Sequence, residues 1–491
     1  MLLALLLVPT LCGLAAFGLR ASRPRRALLV LAALVHAGLT LAAWRRPPAP
    51  VWQGSLALDP PGLLFLALTS VLFLAAALYA VGYLAREEAG RRADFEEQFL
   101  FANQPEAVFT GCLLLFLATM TLVAVSQHFV ILWIGIEATT LASAPLIYFH
   151  RQHRSLEATW KYLMVCSVGI GLALLGTFFL SVAAARPGAE PVPLLLSELM
   201  AHAGELESSW LRLGFVLLLV GYGTKMGLAP LHTWLPDAHS ESPSVVSALM
   251  SGALLNCAFL GVLRAYQVCG AAGLARWCGT LLTFFGLFSL ALAAVFLLGQ
   301  TDYKRLLAYS SVEHMGILAL GVGLGGSATF GALLHAVNHS LAKAMLFLAA
   351  GNILGMYRTK AVHEVRGVLG VLPVTGALWL AGLLVITGSP PFGMFLSEFT
   401  ILRAAVEQGR GGVAALYLVL LGVIFVGLST AMLGMVQGQP PALAGAPRGR
   451  DRWLAVGPPA ALGLGLLVLG VWIPPTLDAL LRAAAHALGS P

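Results

Sequence analysis

Long apolar runs follow one another along this chain, and they constrain its fold more than any other feature. A helix that crosses the hydrocarbon core of a bilayer needs about 17 to 25 mostly apolar residues, and about fourteen runs reach that length. They cover residues 1–19, 27–44, 61–84, 107–125, 128–149, 158–183, 211–231, 243–263, 277–299, 306–325, 329–355, 368–402, 413–438 and 453–473. Because lipid offers no hydrogen bonds to the backbone, such runs predict helices. The sequence therefore predicts an all-α polytopic membrane protein with about 14 transmembrane helices.

The composition excludes a soluble globular protein. Hydrophobic residues make up 59% of the 491 residues and charged residues only 10%, whereas charged residues are about 25% of a typical soluble domain. The longest polar stretch, residues 184–210, is too short to bury a core of its own. The net charge of +7 comes from arginines scattered over many short loops, which favours membrane orientation over nucleic-acid binding.

The basic residues also predict which way the helices run. With fourteen spans, the odd-numbered loops carry about twice as many lysines and arginines as the even-numbered loops and the C-terminus. Cytoplasmic loops are rich in these residues, so the odd loops are predicted in the cytoplasm and both termini outside. The first run has no positive charge before it and arginines after it. We therefore interpret it as a retained membrane helix and not as a signal peptide.

The cysteines indicate no metal or cofactor site. None of them forms a CxxC pair or has the histidine spacing that zinc, iron–sulfur and haem sites use. The six residues are Cys12, Cys112, Cys166, Cys257, Cys269 and Cys278. The sequence therefore predicts no cofactor and no metal, and any redox chemistry belongs to another subunit.

Two of the predicted helices are interrupted. Glycine and proline break the seventh run around residues 227–230, in GTKMGLAPLHTWLP, and the twelfth around residues 388–393, in TGSPPFGMFLSEF. Broken backbone at membrane depth is tolerated only where it is buried in protein or lines a hydrated cavity. Transporters built from inverted repeats carry discontinuous helices at corresponding positions. We therefore predict two inverted five-helix repeats with discontinuous helices 7 and 12.

The repeat hypothesis divides the chain into four parts. They are an N-terminal three-helix segment at residues 1–100, a first five-helix repeat at 101–266, a second at 267–440 and a C-terminal helix at 441–491. Five is an odd number of helices, so the second repeat enters the membrane from the opposite side.

Lysine and arginine are used differently along the chain. Lys161, Lys225 and Lys343 lie inside apolar runs, whereas the arginines fall in loops or at the edges of runs. Arginine stays protonated in proteins, but a desolvated lysine can release its proton. Ionisable residues at membrane depth are costly and mark functional sites, so we interpret these lysines as proton-exchanging groups. Lys161 lies only a few residues into its helix, and an ammonium that reaches the membrane surface is the alternative there.

Glu137 lies deep in the fifth run, in VILWIGIEATTLASAPLIYF, with no oppositely charged residue near it in sequence. Its carboxylate must be neutral or paired with a cation from another helix. Lys225, directly before the first break, is the predicted partner, and a proton added to Glu137 would release this lysine. A static structural salt bridge is the alternative.

The eleventh helix is predicted to carry a line of three titratable groups. His335, His339 and Lys343 are spaced by four in HAVNHSLAK, and residues four apart share one face of an α-helix. Such a line can conduct protons if water fills the gaps. The alternatives are histidines that act as structural hydrogen-bond donors, and a metal site. Lysine is a poor metal ligand and no carboxylate lies nearby, so we predict proton conduction.

Further titratable residues accompany these groups. Glu398 follows the second break, and Glu313 and His314 are neighbours in the tenth run, pointing about 100° apart on their helix. Four more residues follow the first break and are interpreted as lining the mouth of a half-channel: His232, Asp237, His239 and Glu241. Helix capping and loop hydrogen bonds would explain Asp237 and Ser240 equally well.

Three long motifs resemble a known family. GTKMGLAPLHTWLPDAHSESPS, QTDYKRLLAYSSVEHMGIL and HAVNHSLAKAMLFLAAGN are similar to segments of the antiporter-like, proton-translocating membrane subunits of respiratory complex I, multisubunit cation/proton antiporters and membrane-bound hydrogenases. EATTLASAPL and the Glu313–His314 pair look most similar to hydrogenase-4 component F. The resemblance covers residues 60–440. It implies fourteen helices in two inverted repeats around a hydrophilic axis, in a prokaryotic cytoplasmic membrane.

The resemblance also implies roles along that axis. Glu137 would be the fifth-helix glutamate that modulates Lys225, and Glu398 would occupy the terminal position in the twelfth helix. The implied central connecting groups are His335, His339 and Lys343. Many relatives carry a bridging lysine in the eighth helix, where this chain has Asn256 in LLNCAFLGVLR. An amide cannot store a proton, so the connection here relies on water or on Lys343.

Residues and resemblance together favour a proton-translocating subunit of a respiratory or hydrogenase-type redox complex, with no catalytic centre of its own. The expected partners are other membrane subunits, peripheral redox subunits and the lipid bilayer, without nucleic acid. One alternative is an Na⁺ or K⁺/H⁺ antiporter subunit, because carbonyls freed at broken helices bind cations. The others are a structural spacer and an energy-coupling subunit for inorganic-carbon uptake.

Overall fold

The computed structural model describes residues 1–87, 91–93, 100–185, 190–439 and 451–489. Most of this part of the chain is α-helix, and its only strands are a short antiparallel pair, β1 (Arg91–Ala93) and β2 (Leu100–Ala102). The predicted all-α class is confirmed.

The described ranges contain twenty α-helices. In the first half these are α1 (Leu2–Gly18), α2 (Ser22–Arg45), α3 (Pro60–Leu84), α4 (Glu106–Val125), α5 (Phe129–Ile147), α6 (His153–Ala183), α7 (Leu196–Ala201), α8 (Ser208–Met226), α9 (Trp234–Glu241), α10 (Ser244–Leu249) and α11 (Leu255–Ala271). In the second half they are α12 (Ala275–Leu297), α13 (Tyr303–Leu324), α14 (Ser327–Tyr357), α15 (Val368–Val371), α16 (Pro373–Ile386), α17 (Gly393–Glu407), α18 (Gly411–Val436), α19 (Trp453–Val471) and α20 (Pro475–His486).

Eleven helical segments in this part of the chain are long and apolar enough to cross a membrane. The predicted polytopic membrane class is therefore confirmed. The count of 14 spans stays a prediction, because α1 has 17 residues and α16 has only 14.

The loops collect on two sides of the helix bundle. Val362 N donates to Thr301 O at 2.7 Å, which ties the predicted eleventh loop to the ninth. Leu196 N donates to Gln127 O at 2.9 Å, which ties the predicted fourth loop to the sixth. Odd-numbered loops thus meet odd-numbered loops, as alternating spans require, while the side that faces the cytoplasm stays a prediction.

Both predicted helix breaks are confirmed. Residues 227–233 separate α8 from α9, and residues 387–392 separate α16 from α17. A glycine in each loop adopts the left-handed backbone conformation, with φ 88° at Gly227 and 61° at Gly388. Glycine suits this conformation because it has no Cβ to clash with the backbone. The matched breaks support the predicted duplication, whose boundaries stay predictions.

The span Ser244–Ala271 contains a widened turn. A π-helical segment, Met250–Leu254, joins α10 to α11 and makes them one continuous buried span. Such segments inside α-helices occur often at functional sites. Ser251 in this segment and Asn256 after it both form hydrogen bonds to α14.

The interior of the bundle is formed by the most enclosed spans. The most apolar stretch of Ser244–Ala271 is 100% buried, that of α13 94% and those of α4 and α14 78% each, whereas the figure for α18 is 28%. Polar groups on a helix buried on all sides must find partners inside the protein. The titratable residues of α13 and α14 therefore face protein and not lipid.

One arginine lies at the edge of its apolar run, as expected, but is buried inside a helix. Arg264 lies within α11, is 1% exposed and forms a bidentate ion pair with Asp59, the residue before α3. The apolar run ends at residue 263, but the helix continues and encloses the arginine. Burial alone would raise the pKa of Asp59, but the adjacent guanidinium holds that pKa below its ordinary value. The Arg264–Asp59 ion pair therefore links the N-terminal helices to α11.

We expect Asp59→Asn to destabilise the protein by about 3 kcal/mol, because it leaves the Arg264 charge buried without its counter-charge. Asp59 keeps 24% of its side chain exposed, which places the effect at the low end for buried pairs. Asp478→Asn is the control, since Asp478 pairs with the exposed Arg482 and should contribute less than about 1 kcal/mol. Unfolding of the purified protein by denaturant measures both, and equal losses would contradict the assignment.

Candidate functional site

The first polar cluster surrounds Lys225 in the last turn of α8. Its side chain is fully buried, and its Nζ donates hydrogen bonds to the hydroxyls of Thr140 (2.8 Å) and Tyr162 (2.6 Å). Nζ also lies 4.4 Å from the centre of the Tyr162 ring. In the described ranges no carboxylate lies within ion-pair distance of this ammonium. Lys225 is therefore held by neutral groups alone.

Thr140 connects Lys225 to Glu137. Its hydroxyl accepts from Lys225 Nζ and donates to Glu137 Oε2 at 3.3 Å. Ser167 of α6 donates to the other oxygen of Glu137 at 3.5 Å. The structure thus replaces the predicted direct ion pair between Glu137 and Lys225 with a bridge through one hydroxyl. The reason is depth, because Glu137 is half-buried on α5 while Lys225 is fully enclosed.

The second polar cluster lies on α14, where His335, His339 and Lys343 are fully buried. His335 links three helices. Its Nε2 lies 3.0 Å from Nδ1 of His314 in α13, and its Nδ1 lies 3.0 Å from the hydroxyl of Ser397 in α17. The first group of the predicted line therefore contacts both neighbouring helices.

His339 and Lys343 reach backbone carbonyls. His339 Nε2 donates to Ser251 O in the π-helical segment at 3.3 Å, and the His339 ring centre lies 5.1 Å from that of His314. Lys343 Nζ donates to Leu307 O of α13 at 2.9 Å. An ammonium has three hydrogens, so further hydrogens of Lys343 are available to water.

Asn256 reaches α14 from the interior span Ser244–Ala271. Its Nδ2 donates to Gly252 O at 2.9 Å and to the Ser340 hydroxyl at 2.7 Å. Its Oδ1 is buried, and the described residues offer it no hydrogen-bond partner. Ser340 lies beside His339 on α14, so the amide of Asn256 lies next to the line of titratable residues on that helix.

Two buried carboxylates share one cavity at the second helix break. The cavity has a volume of about 190 Å³, and its lining includes Glu313, Glu398, Gly388 and Tyr417. Oε2 of Glu313 and Oε1 of Glu398 have no hydrogen-bond partner in the described part of the protein. Buried polar atoms of this kind are normally satisfied by ordered water. The space beside these acids is therefore suited to hold water.

Lys161 lies apart from these two clusters. Its side chain is 49% exposed, and its Nζ forms ion pairs with Glu157 (2.7 Å) and Asp237 (3.0 Å). Asp237 also accepts from Arg305. The alternative interpretation of Lys161, an ammonium that reaches the surface, agrees with this geometry. Asp237 serves as an ion-pair partner and not as a helix cap.

The other residues after the first break lie among aromatic rings and ions. His239 stacks on Phe347 with ring centres 4.8 Å apart, and neither of its ring nitrogens has a hydrogen-bond partner within the described residues. The ring of His232 lies 6.2 Å from that of Tyr309. Glu241 pairs with Lys360 at 2.7 Å.

Sequence reasoning missed the neutral partners and one lysine. Thr140 follows Glu137 by three residues, a spacing that places both on one helix face. Ser397 directly precedes Glu398, and no local pattern distinguishes it. Lys304, interpreted as a loop residue, is 1% exposed and its Nζ donates to the carbonyls of residues 240 and 242 at the end of α9, at 2.9 and 2.6 Å.

His314, His335 and Glu398 converge. One nitrogen of each histidine and one carboxylate oxygen of Glu398 lie within 4.8 Å of one another. The expectation that no carboxylate lies near these histidines is wrong, because α17 brings Glu398 to them from a distant part of the sequence. Two imidazoles and a carboxylate are ligands that a transition metal accepts.

Comparisons with known proteins identify the family to which this chain belongs. Residues 126–427 match the family described as NADH:quinone oxidoreductase/Mrp antiporter, transmembrane. The hydrogenase-4 component F homolog of Methylacidiphilum infernorum is 37% identical over 435 residues, which cover 85% of this chain and 87% of the relative.

Solved structures show the same fold. A chain of the membrane-bound sulfane sulfur reductase, an archaeal respiratory membrane complex, has a TM-score of 0.85 at 20% identity, covering 100% of this chain and 98% of that one. A chain of respiratory complex I from Thermus thermophilus has a TM-score of 0.81 at 24% identity, with 100% of both chains covered. Both are chains of multisubunit membrane complexes. The resemblance inferred from three motifs is thus confirmed, and the chain belongs to the NADH:quinone oxidoreductase/Mrp antiporter family of multi-pass membrane subunits.

Proposed function

We propose that this chain translocates protons as an antiporter-like membrane subunit of a respiratory or hydrogenase-type redox complex. Redox chemistry in partner subunits, including peripheral ones, drives the transport. The observation that carries the proposal is the fully buried Lys225, which has hydroxyl partners only and no counter-ion among the described residues. A permanent structural charge would need a counter-charge at this depth, whereas a lysine that exchanges its proton does not.

The charge of Glu137 reaches Lys225 through Thr140. When Glu137 is ionised, the Thr140 hydroxyl donates to it and turns its lone pairs toward the ammonium. When Glu137 is neutralised, its carboxylate no longer orients the Thr140 hydroxyl, and the Lys225 ammonium loses the nearest negative charge. Lys225 then releases its proton more easily. One proton gained by Glu137 thus favours one proton lost by Lys225.

The proposed proton path continues from Lys225 on α8 to the titratable residues of α14 by way of the span Ser244–Ala271. α11 packs against α8, and the π-helical segment packs against α14. Asn256 and Ser251 lie on this span and contact Ser340 and His339. An amide and a carbonyl orient water but store no proton. Storage along this part of the path therefore falls to the histidines and to Lys343.

Glu398 is the proposed terminal group. It lies at the cavity of about 190 Å³, beside Glu313 and the second helix break. A proton that reaches Glu398 through the His314–His335 contact can pass to water in this cavity. Lys161 stays outside this path. We further propose a prokaryotic cytoplasmic membrane as the location, with the odd-numbered loops in the cytoplasm and both termini outside.

Lys225→Ala tests the proposal directly. In the reconstituted complex this variant should keep electron transfer and lose proton translocation, because the buried exchanging group is gone. Proton uptake into vesicles and turnover of the electron donor are measured together. Lys161→Ala removes a half-exposed lysine and should keep both activities. Unchanged proton translocation in Lys225→Ala would contradict the proposal.

Thr140→Val removes the bridging hydroxyl at almost constant volume. Translocation should fall by roughly tenfold, since a hydrogen bond to a charged group contributes about 1.5–3 kcal/mol. The matched control is Thr139→Val, because the neighbouring hydroxyl donates only to the Ile136 carbonyl of its own helix. Initial rates of proton translocation are compared. Equal rates in the two variants would show that Thr140 does not couple Glu137 to Lys225.

Gly388→Ala tests the cavity at the second break. A Cβ at Gly388 would overlap the Glu398 carboxylate, so the variant should displace that carboxylate and lose most proton translocation. Gly409→Ala introduces the same backbone strain, at φ 72°, in a position where a Cβ meets nothing within 4 Å. It should retain transport. Similar losses in both variants would indicate backbone strain alone.

An Na⁺ or K⁺/H⁺ antiporter subunit is the second candidate function. The observation that favours it is the pair of buried carboxylates, Glu313 and Glu398, in one cavity, since alkali and alkaline-earth cations prefer oxygen ligands. Sodium-dependent proton transport by the purified chain alone in liposomes would support this function. Transport that needs the redox partner and is indifferent to sodium would exclude it.

A further inference from the structure

Three packed helices each supply one potential metal ligand to a single point. His314 comes from α13, His335 from α14 and Glu398 from α17, and one ligand atom of each lies within 4.8 Å of the other two. His314 and His335 are 0% exposed and Glu398 is 8% exposed. The arrangement is therefore enclosed and held by packed helices, unlike a chance cluster on a surface.

The hydrogen bonds around His335 fix which of its nitrogens carries the proton. The Ser397 hydroxyl donates to Met394 O at 2.7 Å, so it accepts from His335 Nδ1. Nε2 of His335 then carries no hydrogen, and its lone pair accepts from His314 Nδ1 at 3.0 Å. A neutral imidazole held in this tautomer by an outer hydrogen bond is the form that binds a metal ion.

Two further atoms of the cluster lack a partner among the described residues. His314 Nε2 and Glu398 Oε1 are buried, and the described part of the chain offers neither a hydrogen bond. Buried acceptors of this kind are unfavourable unless water or an ion satisfies them. The unpartnered atoms are an observation separate from the convergence of the three side chains.

We propose that His314, His335 and Glu398 form a binding site for a divalent transition-metal ion of the zinc class. Two imidazoles and one carboxylate hold such an ion and leave one position open for water. Glu313 lines the same cavity as Glu398, so two carboxylates can balance the two charges of the ion. Sodium, calcium and magnesium prefer sites made of oxygen alone.

The ion reaches this site from the cavity of about 190 Å³ that borders Glu398. Binding at His335 Nε2 and His314 Nδ1 replaces the hydrogen bond between these two atoms, and the His314 proton moves to Nε2 of the same ring. The ion then occupies the lone pairs that a proton relay needs. The consequence, inhibition of proton transport, rests on the proposed function. Binding itself does not, because it requires only the three ligands.

The test uses the purified full chain with Co²⁺ alone and with Zn²⁺ alone. Co²⁺ held by nitrogen and oxygen ligands shows visible d–d absorption, and equilibrium dialysis gives the Zn²⁺ stoichiometry and affinity. We expect one ion per chain. Glu398→Gln and His335→Asn should each weaken binding by more than about a hundredfold, beyond the ten- to hundredfold effect of removing an outer hydrogen-bond partner.

The control is His202→Asn, which removes a surface histidine that lies near Glu198. It should leave the bound ion and its spectrum unchanged. If Glu398→Gln and His335→Asn bind as the unaltered protein does, or if His202→Asn abolishes binding, an adventitious ion only is present and the proposal is overturned.

If the ligand variants do not fold, a variant that leaves the three ligands in place tests the same site. Ser397→Ala keeps all three ligands and removes only the acceptor that orients His335. Its Zn²⁺ affinity should fall by about ten- to hundredfold, and an unchanged affinity would overturn the proposal. The outcome is independent of proton pumping, so failure of the Lys225 test would leave the metal site standing, and the reverse also holds.

Discussion

Lipid offers no partner to a buried charge, and this constraint decides where the polar side chains of the protein lie. Lys225 donates to hydroxyls of α5 and α6, Lys343 donates to a carbonyl of α13, and Arg264 pairs with the carboxylate of Asp59. Each contact joins different helices, so the buried charges also hold the bundle together. Arginine cannot release its proton and has a full counter-charge here. The two lysines have neutral partners, and this difference separates a structural charge from the groups proposed to exchange protons.

Features that depend on neighbouring residues alone could be predicted from the sequence. The length of the apolar runs predicted the membrane helices, and glycine with proline predicted both breaks. The number of spans was harder, because a run of apolar residues does not reveal where a helix ends. The twelfth run, at residues 368–402, contains α16 with 14 residues and α17 with 15. Arg264 shows the same limit, since its helix continues past the end of the apolar run.

Features that depend on tertiary contacts could be predicted only in part. The need for a counter-charge predicted that Glu137 and Lys225 lie in one region, but it does not measure depth, and depth is why Thr140 lies between them. Spacing also placed His335 on one face of α14, yet it could not show that α17 brings Glu398 to the same point. The sequence left two interpretations of Lys161 open. Glu157 lies one turn before Lys161 on α6 itself, but the ion pair with Asp237 required the fold to bring α9 beside α6.

Gly388 limits which side chains can occupy residue 398, and the reverse also holds. The missing side chain of this residue leaves the volume that the Glu398 carboxylate occupies, ten residues further along the chain. The two positions are therefore sterically coupled. A side chain at residue 388 is compatible with a stable break only if the acid at residue 398 shortens or turns away. A longer base at residue 398 needs the same empty space. A side chain at residue 388 therefore meets two separate obstacles, the left-handed backbone and the acid, and shortening residue 398 removes only the second.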